Sequence, residues 1–139
     1  MKNVKVSKTI AATQKTLWAI LTDADSYAHW NDSVVRIEGT IGEDQRIKVF
    51  AAHTPQRAFA LKVSLFDAPR KMVWQSSMPL GLFKGVRTFA LTDLGNGRVK
   101  FTMQEQFSGL LSGFITKSMP DLNESFKQFA MGLKAVAEG

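Results

Sequence analysis

The chain has 139 residues, which suits one domain. Hydrophobic residues make up 45% of it and charged residues 22%, a balance that can build a core and excludes a chain disordered by composition. It contains no cysteine, which excludes disulfides, thiolate zinc sites and cysteine nucleophiles. The net charge of +6 fits a soluble basic surface, and it could also attract anionic ligands, membrane surfaces or nucleic acid.

Targeting and membrane signals are weak in this sequence. No apolar run approaches the roughly 20 residues of a membrane-spanning helix. Gln14 and Lys15 interrupt the apolar stretch near the N-terminus, which argues against a signal peptide. We therefore expect one domain over residues 1–139, located in the cytoplasm.

The first 30 residues predict a strand and two helices. Val4 to Ile10 alternates weakly between apolar and polar side chains, as a strand does. Thr13 then fits the N-cap of a helix, and a second short helix is predicted to begin at Asp23 or Asp25. The apolar residues at helical spacing behind this cap are Leu17, Trp18, Ile20 and Leu21.

Regular alternation dominates the middle of the chain and predicts strands with one dry face and one wet face. The alternating segments are SVVRIEG, QRIKVFAAH, AFALKVSLFD, RKMVWQSSM, GVRTFALTD and RVKFTMQEQF. The pattern places Val35 beside Ile37 on one face, and Leu65 on the dry face of its own strand. Because short turns such as APR and GNG separate these segments, we expect an antiparallel meander.

The C-terminal segment keeps a helical 3–4 spacing of apolar residues. Pro120 interrupts it, so that either the motif SMPD caps a fresh helix with Ser118 and Asp121, or Pro120 kinks one long helix. The apolar positions are Leu111, Ile115, Met119, Leu122, Phe126, Phe129, Leu133 and Ala137. The element order predicts an α+β fold in which a curved antiparallel sheet of about seven strands grips a long C-terminal helix, with two short helices between strands 1 and 2.

Two charged residues, Arg87 and Glu105, share the alternation of apolar neighbours, although a lone buried charge is costly. If GNG is a three-residue loop with Gly97 in the left-handed conformation, Leu94 pairs with Arg98. The same register places Arg87 opposite Glu105, within reach of a salt bridge. Such a pair could serve only the fold, or it could also offer a ligand carboxylate or carbonyl a polar anchor.

The opening segment IAATQKTLWAILTDADSYAHWN resembles the START-like superfamily, also called Bet v 1-like, SRPBCC or helix-grip, which includes polyketide cyclase/dehydrase and lipid transport proteins. Further residues carry this resemblance: Gly39, Pro69, Trp74, Gly85, Phe89, Leu91, Gly97 and Gly109. The resemblance implies a large cavity between the sheet and the C-terminal helix, which holds a small hydrophobic molecule such as a lipid or polyketide.

Two groups of residues are candidates for such a site. Residues of the first group could line the cavity, or they could equally fill it as an ordinary core. Three polar members of this group are candidates for direct contact with the ligand. This group is Phe59, Met72, Trp74, Phe89, Phe101, Met103 and Phe126, with Arg87, Glu105 and His53. The second group lies in loops at one end, where apolar residues predict either a cavity mouth or a plug. It comprises Trp30, Leu80, Leu82, Phe83, Leu110 and Leu111.

Three functions fit this sequence. The leading hypothesis is a non-enzymatic carrier or sensor of a small hydrophobic molecule, without a cofactor, acting as a monomer or homodimer. The first alternative is a cyclase, dehydratase or aromatase of the polyketide type, with Glu105, His53 or Tyr27 as the proton-transfer group. The second is a protein-interaction module with a basic outer face, formed by Arg36, Arg46, Lys48, Lys62, Lys71 and Lys100. We expect neither a metal site nor specific nucleic-acid binding.

Overall fold

The computed structural model describes residues 2–52, 54–117 and 122–139. The strands are β1 (Lys2–Ile10), β2 (Val34–Glu38), β3 (Arg46–Ala51), β4 (Ala58–Asp67), β5 (Lys71–Met78), β6 (Phe83–Gly95) and β7 (Arg98–Ser108). The helices are α1 (Gln14–Leu21), α2 (Tyr27–Trp30), α3 (Ser112–Lys117) and α4 (Leu122–Glu138). Short 3-10 turns lie at Ala24–Ser26 and Pro79–Gly81.

The seven strands form one antiparallel sheet in the order β1-β7-β6-β5-β4-β3-β2. This confirms the predicted meander from β2 to β7 and the α+β class. The remaining strand, β1, pairs with β7 over its whole length, so the first and last strands meet. The helix cap is also confirmed, since the Thr13 hydroxyl accepts a hydrogen bond from the Thr16 amide at 3.1 Å.

Two β-bulges correct the predicted faces of β2 and β4. The register shifts between Val34 and Arg36, and Val35 is exposed rather than sharing the buried face of Ile37. A second shift follows Ser64, and it turns Leu65 into solvent. Each bulge adds one residue to its strand and so inverts the alternation of faces beyond it. A prediction that assumes a strict period of two misses this inversion. Phe66 consequently packs against the Trp18 ring instead, at 5.1 Å between centroids.

The β6–β7 turn differs from the predicted three-residue loop, yet the register beyond it is as expected. Asn96 and Gly97 form a two-residue turn with φ of 56° and 73°, the left-handed pair that an Asn-Gly hairpin favours. Gly95, with φ of 81°, forms a bulge and pairs with Arg98, so the predicted Leu94–Arg98 pair is wrong. The turn is one residue shorter than predicted, and the bulge makes β6 one residue longer. The two differences cancel, so the pairs further along the hairpin are the predicted ones.

The core lies between the inner face of the sheet and helices α1, α2 and α4. Phe129 of α4 stands at its centre, with its ring 5.1 Å from that of Trp30 and 5.8 Å from that of Phe89. Gly132, one turn further along α4, brings the helix backbone against the Trp30 carbonyl. No helix within the described ranges is long and apolar enough to cross a membrane.

Several predicted features lie outside the described residues. They are the candidate ligand contact His53, the core position Met119, and the alternative roles of Ser118, Pro120 and Asp121 in capping or kinking the last helix.

Candidate functional site

Arg87 and Glu105 form the ion pair that the register predicted. They lie directly opposite each other on β6 and β7, and Nε of Arg87 donates to Oε1 of Glu105 at 2.6 Å. Their side chains are 26% and 14% exposed, so the pair lies at the boundary between core and solvent. The guanidinium carbon also lies 4.9 Å from the centre of the Phe126 ring, which ties the sheet to α4 by a cation–π contact.

The backbone of Gly85 lies close beside this pair. A side-chain carbon added to Gly85 would lie 3.1 Å from Oγ of Ser76 and 3.3 Å from Oε2 of Glu105. Within the described part of the chain, only Glu105 accepts a hydrogen bond from the Arg87 guanidinium. Polar side chains thus gather closely around Gly85, where only a glycine fits without crowding; we call Ser76, Gly85, Arg87 and Glu105 the polar cluster.

Ser76 was not among the residues predicted for a site, although the sequence carried a signal. It shares alternation with Met72 and Trp74, so a hydroxyl was expected on the dry face. Its neighbour across the β5–β6 pair is Gly85. A hydroxyl and a glycine facing each other in a dry sheet indicate a place where a polar group is accommodated.

The hydroxyl of Tyr27, a candidate for proton transfer, is occupied. It is fully buried and donates a hydrogen bond to the Leu21 carbonyl. Burial raises the pKa of the Tyr27 phenol far above its usual value, while the positive charge of Arg87 opposes this rise and Asp23 adds to it. The phenol is therefore protonated at neutral pH, with its proton directed to the backbone.

Most of the side chains that were predicted to line or fill a cavity are buried between the sheet and α4. Trp74 packs edge-on against Phe89 at 4.7 Å, and Phe101 stacks with Phe129 at 5.9 Å. The other buried members are Met72, Met103 and Phe126, whereas Phe59 is half-buried with Arg57 above its ring. This dense packing still leaves the buried indole N–H groups of Trp30 and Trp74 without an acceptor among the described residues.

Two concavities of the surface lie outside this interior. One of about 180 Å³ lies between the segments 22–25 and 39–41. The other, of about 230 Å³, involves β3, β4 and β5. Neither of these concavities is the large cavity between α4 and the sheet that the family resemblance implies.

The apolar loop residues divide between core and surface. Trp30 and Phe83 turn inward and are buried, whereas Leu82 is half-buried. The other predicted loop residues are exposed, and an exposed side chain of α3 lies next to them. The Leu111 amide donates a hydrogen bond to the Leu82 carbonyl at 2.7 Å, which links the two loops. We call this exposed group the apolar rim; it comprises Leu80 (92% exposed), Leu110 (85%), Leu111 (37%) and Phe114 (79%).

The predicted basic outer face is exposed at every one of its positions, Arg36, Arg46, Lys48, Lys62, Lys71 and Lys100. No group of three His, Cys, Asp or Glu side chains within residues 2–52, 54–117 and 122–139 is placed to hold a metal ion.

The model of the family "polyketide cyclase / dehydrase and lipid transport" matches residues 1–138. No curated protein matches the sequence at a significant level. Among solved structures, hypothetical protein jhp0584 from Helicobacter pylori is 15% identical with a TM-score of 0.80, covering 98% of this chain and 88% of its own.

Two further solved structures are similar. The Zhui aromatase/cyclase from Streptomyces sp. R1128 is 13% identical with a TM-score of 0.77, and 99% of this chain and 93% of that one are covered. A START superfamily protein from Mycobacterium smegmatis is 16% identical with a TM-score of 0.74, and 98% and 97% are covered. At this level of sequence identity, the structural similarity establishes that this chain and these proteins share a fold.

Proposed function

Since this chain belongs to the polyketide cyclase/dehydrase and lipid transport family, we propose that it binds a small hydrophobic molecule bearing one polar group, as a carrier or sensor. The polar cluster is the observation that carries this proposal. An arginine on the dry face has a single carboxylate partner among the described residues, and a serine hydroxyl stands close by across Gly85. Both charged side chains are partly exposed, so a polar group of a ligand can reach them from the edge of the core.

The charge of the polar cluster indicates which polar group it prefers. Arg87 and Glu105 together are neutral, so a ligand carboxylate would gain from one and be repelled by the other. A neutral group with an acceptor and a donor side by side, such as a carbonyl next to a hydroxyl, suits both. The carbonyl would accept from the terminal nitrogens of Arg87, and the hydroxyl would donate to Oε2 of Glu105.

The unpaired indoles support a ligand that carries acceptors. A buried donor without an acceptor costs about 1–3 kcal/mol, and both Trp30 and Trp74 hold one in the interior. A ligand oxygen reaching either N–H group would recover that free energy. Met72 and Met103, which are flexible and polarisable, are suited to shift as an apolar body enters.

Enzymatic cyclisation or dehydration is the alternative, and the contacts favour it less. A general acid or base needs a side chain that is free to exchange a proton with the substrate. The Tyr27 hydroxyl is committed to a backbone carbonyl, and the Glu105 carboxylate is held by Arg87. Binding without proton transfer uses these groups as they stand.

Matched probes test the proposal. 3-Hydroxyflavone has a carbonyl beside a hydroxyl, and 3-methoxyflavone lacks the donor. We expect the wild-type protein to bind the hydroxyl form about tenfold more tightly, one charge-assisted hydrogen bond being worth about 1.4 kcal/mol or more. The variant R87L/E105L should bind both flavones alike, as measured by quenching of tryptophan fluorescence.

The control for these probes is D67N/R70Q, which removes an exposed ion pair at a hairpin turn. It should keep the preference for the hydroxyl form. Equal binding of the two flavones by the wild-type protein, or an unchanged preference in R87L/E105L, would sink the proposed role of the polar cluster. Failure of both flavones to bind at all would count against the proposed function itself.

The apolar rim supplies a second prediction, because exposed leucines and a phenylalanine at one end offer a contact for an arriving apolar molecule. We expect L80S/F114S to slow the association of 3-hydroxyflavone several-fold in stopped-flow measurements. Stability should change by less than about 0.5 kcal/mol, since both side chains are exposed. The control L65S alters an exposed leucine near the hairpin at the opposite end, and an equal slowing there would contradict a role for the rim.

A further inference from the structure

The sheet is split between β4 and β5. These strands pair from Lys62–Gln75 to Asp67–Lys71, yet β4 begins at Ala58 and β5 continues to Met78. Beyond that pairing, residues 58–61 pair with β3 and residues 76–78 pair with β6. Between them lies the concavity of about 230 Å³, here called the slot.

Most side chains that line the slot can donate hydrogen bonds, and they stand on both of its sides; among the described residues, no carboxylate lines it. They come from three strands: Arg46 on β3, Ala60, Leu61 and Lys62 on β4, and Gln75, Ser76 and Ser77 on β5.

Two positive charges face each other here without a counter-charge. Arg46 lies directly opposite Lys62 in the β3–β4 register, and like charges in that position destabilise a sheet. Neither side chain forms an ion pair or a side-chain hydrogen bond with any residue in the described ranges. By contrast, Arg36 and Arg70 elsewhere on the surface both have a carboxylate partner.

From this arrangement we propose that the slot binds the phosphate group of a small molecule. A phosphomonoester carries a charge between about −1.5 and −2 near neutral pH, which balances Arg46 and Lys62 together. Its three terminal oxygens can accept bonds from both edges of the slot, where a singly charged carboxylate would leave one cation unbalanced.

Ser76 connects the slot with the inner face of the sheet. It lines the slot, and its Oγ also lies beside Gly85 in the polar cluster. The two sites differ in chemistry, since the slot is cationic and the polar cluster is neutral. Phosphate binding in the slot does not depend on whether the interior admits a hydrophobic ligand.

Calorimetric titration with inorganic phosphate and with phenyl phosphate at constant ionic strength tests the proposal. We expect both to bind the wild-type protein and to raise its melting temperature, because a ligand of the folded state stabilises it by mass action. R46Q/K62Q should lose at least tenfold in affinity and show no such rise. Equal affinity for the two would assign the site to the free ion, and tighter binding of the phenyl ester would assign it to an organic phosphate.

The matched control is R98Q/K100Q, which removes one arginine and one lysine from exposed positions on β7, outside the slot. It should bind phosphate within about twofold of the wild-type protein, the residual change reflecting weaker general attraction. The proposal is overturned if both double variants lose affinity to the same extent, since binding would then follow net charge. It is equally overturned if neither phosphate compound binds the wild-type protein at millimolar concentration.

Discussion

Replacing Gly132 by alanine is expected to destabilise the protein by about 3 kcal/mol or more. In an exposed helix this change normally stabilises by up to about 1 kcal/mol. Here the added carbon would lie far inside the van der Waals contact of the Trp30 carbonyl oxygen. That oxygen belongs to the backbone and cannot rotate away, so α2 and α4 must move apart and disturb the contact between Trp30 and Phe129.

Chemical denaturation of G132A beside G113A measures this effect. Gly113 also lies in a helix, α3, but nothing is within 4 Å of the position where its side-chain carbon would stand. G113A should therefore be neutral or slightly stabilising. A G132A variant that is as stable as the wild-type protein would contradict the close approach of α2 to α4.

Removing Arg87 alone is expected to have the next largest effect. R87L leaves the Glu105 carboxylate at the edge of the core without its partner and removes the cation over Phe126. Breaking a fully buried pair costs about 3–5 kcal/mol, whereas exposed pairs contribute at most about 1 kcal/mol. Since this pair is partly exposed, we expect a loss of about 2–3 kcal/mol.

The double variant R87L/E105L shows which of two causes makes R87L less stable: the loss of the partner of Glu105 or the loss of packing contacts. Apolar side chains in place of an ion pair are often neutral or stabilising, so the double variant should regain most of what R87L loses. Urea denaturation of the wild-type protein, both single variants and the double variant completes the cycle. Additive losses from the two single changes would show that Arg87 and Glu105 do not stabilise each other.

The sequence predicted the fold and the central pair for one physical reason. Alternation reports which face of a strand is dry, so a charged residue in phase with Phe89 and Leu91 is conspicuous. The assumed three-residue GNG loop then set the register, which placed Glu105 opposite Arg87 as the structure does. The compensating bulge at Gly95 shows that the register of a hairpin is more predictable than the form of its turn.

Other features depend on tertiary structure and could not be read from this pattern. The bulge that exposes Leu65 inverts alternation without a glycine or proline to mark it. The slot arises because β4 and β5 stop pairing beyond Lys62 and Gln75, although their residues continue to alternate. Whether an interior is filled or hollow depends on side-chain volumes across several elements, and a list of apolar positions does not contain that information.

The most direct test of the proposed function is an amide NMR titration of the wild-type protein with 3-hydroxyflavone. The largest shifts are expected at Ser76, Gly85 and Glu105, and at the separately observed Nε–H of Arg87. Smaller shifts should follow at the indole N–H groups of Trp30 and Trp74. Shifts confined to the apolar rim or to the outer basic face would contradict binding at the polar cluster.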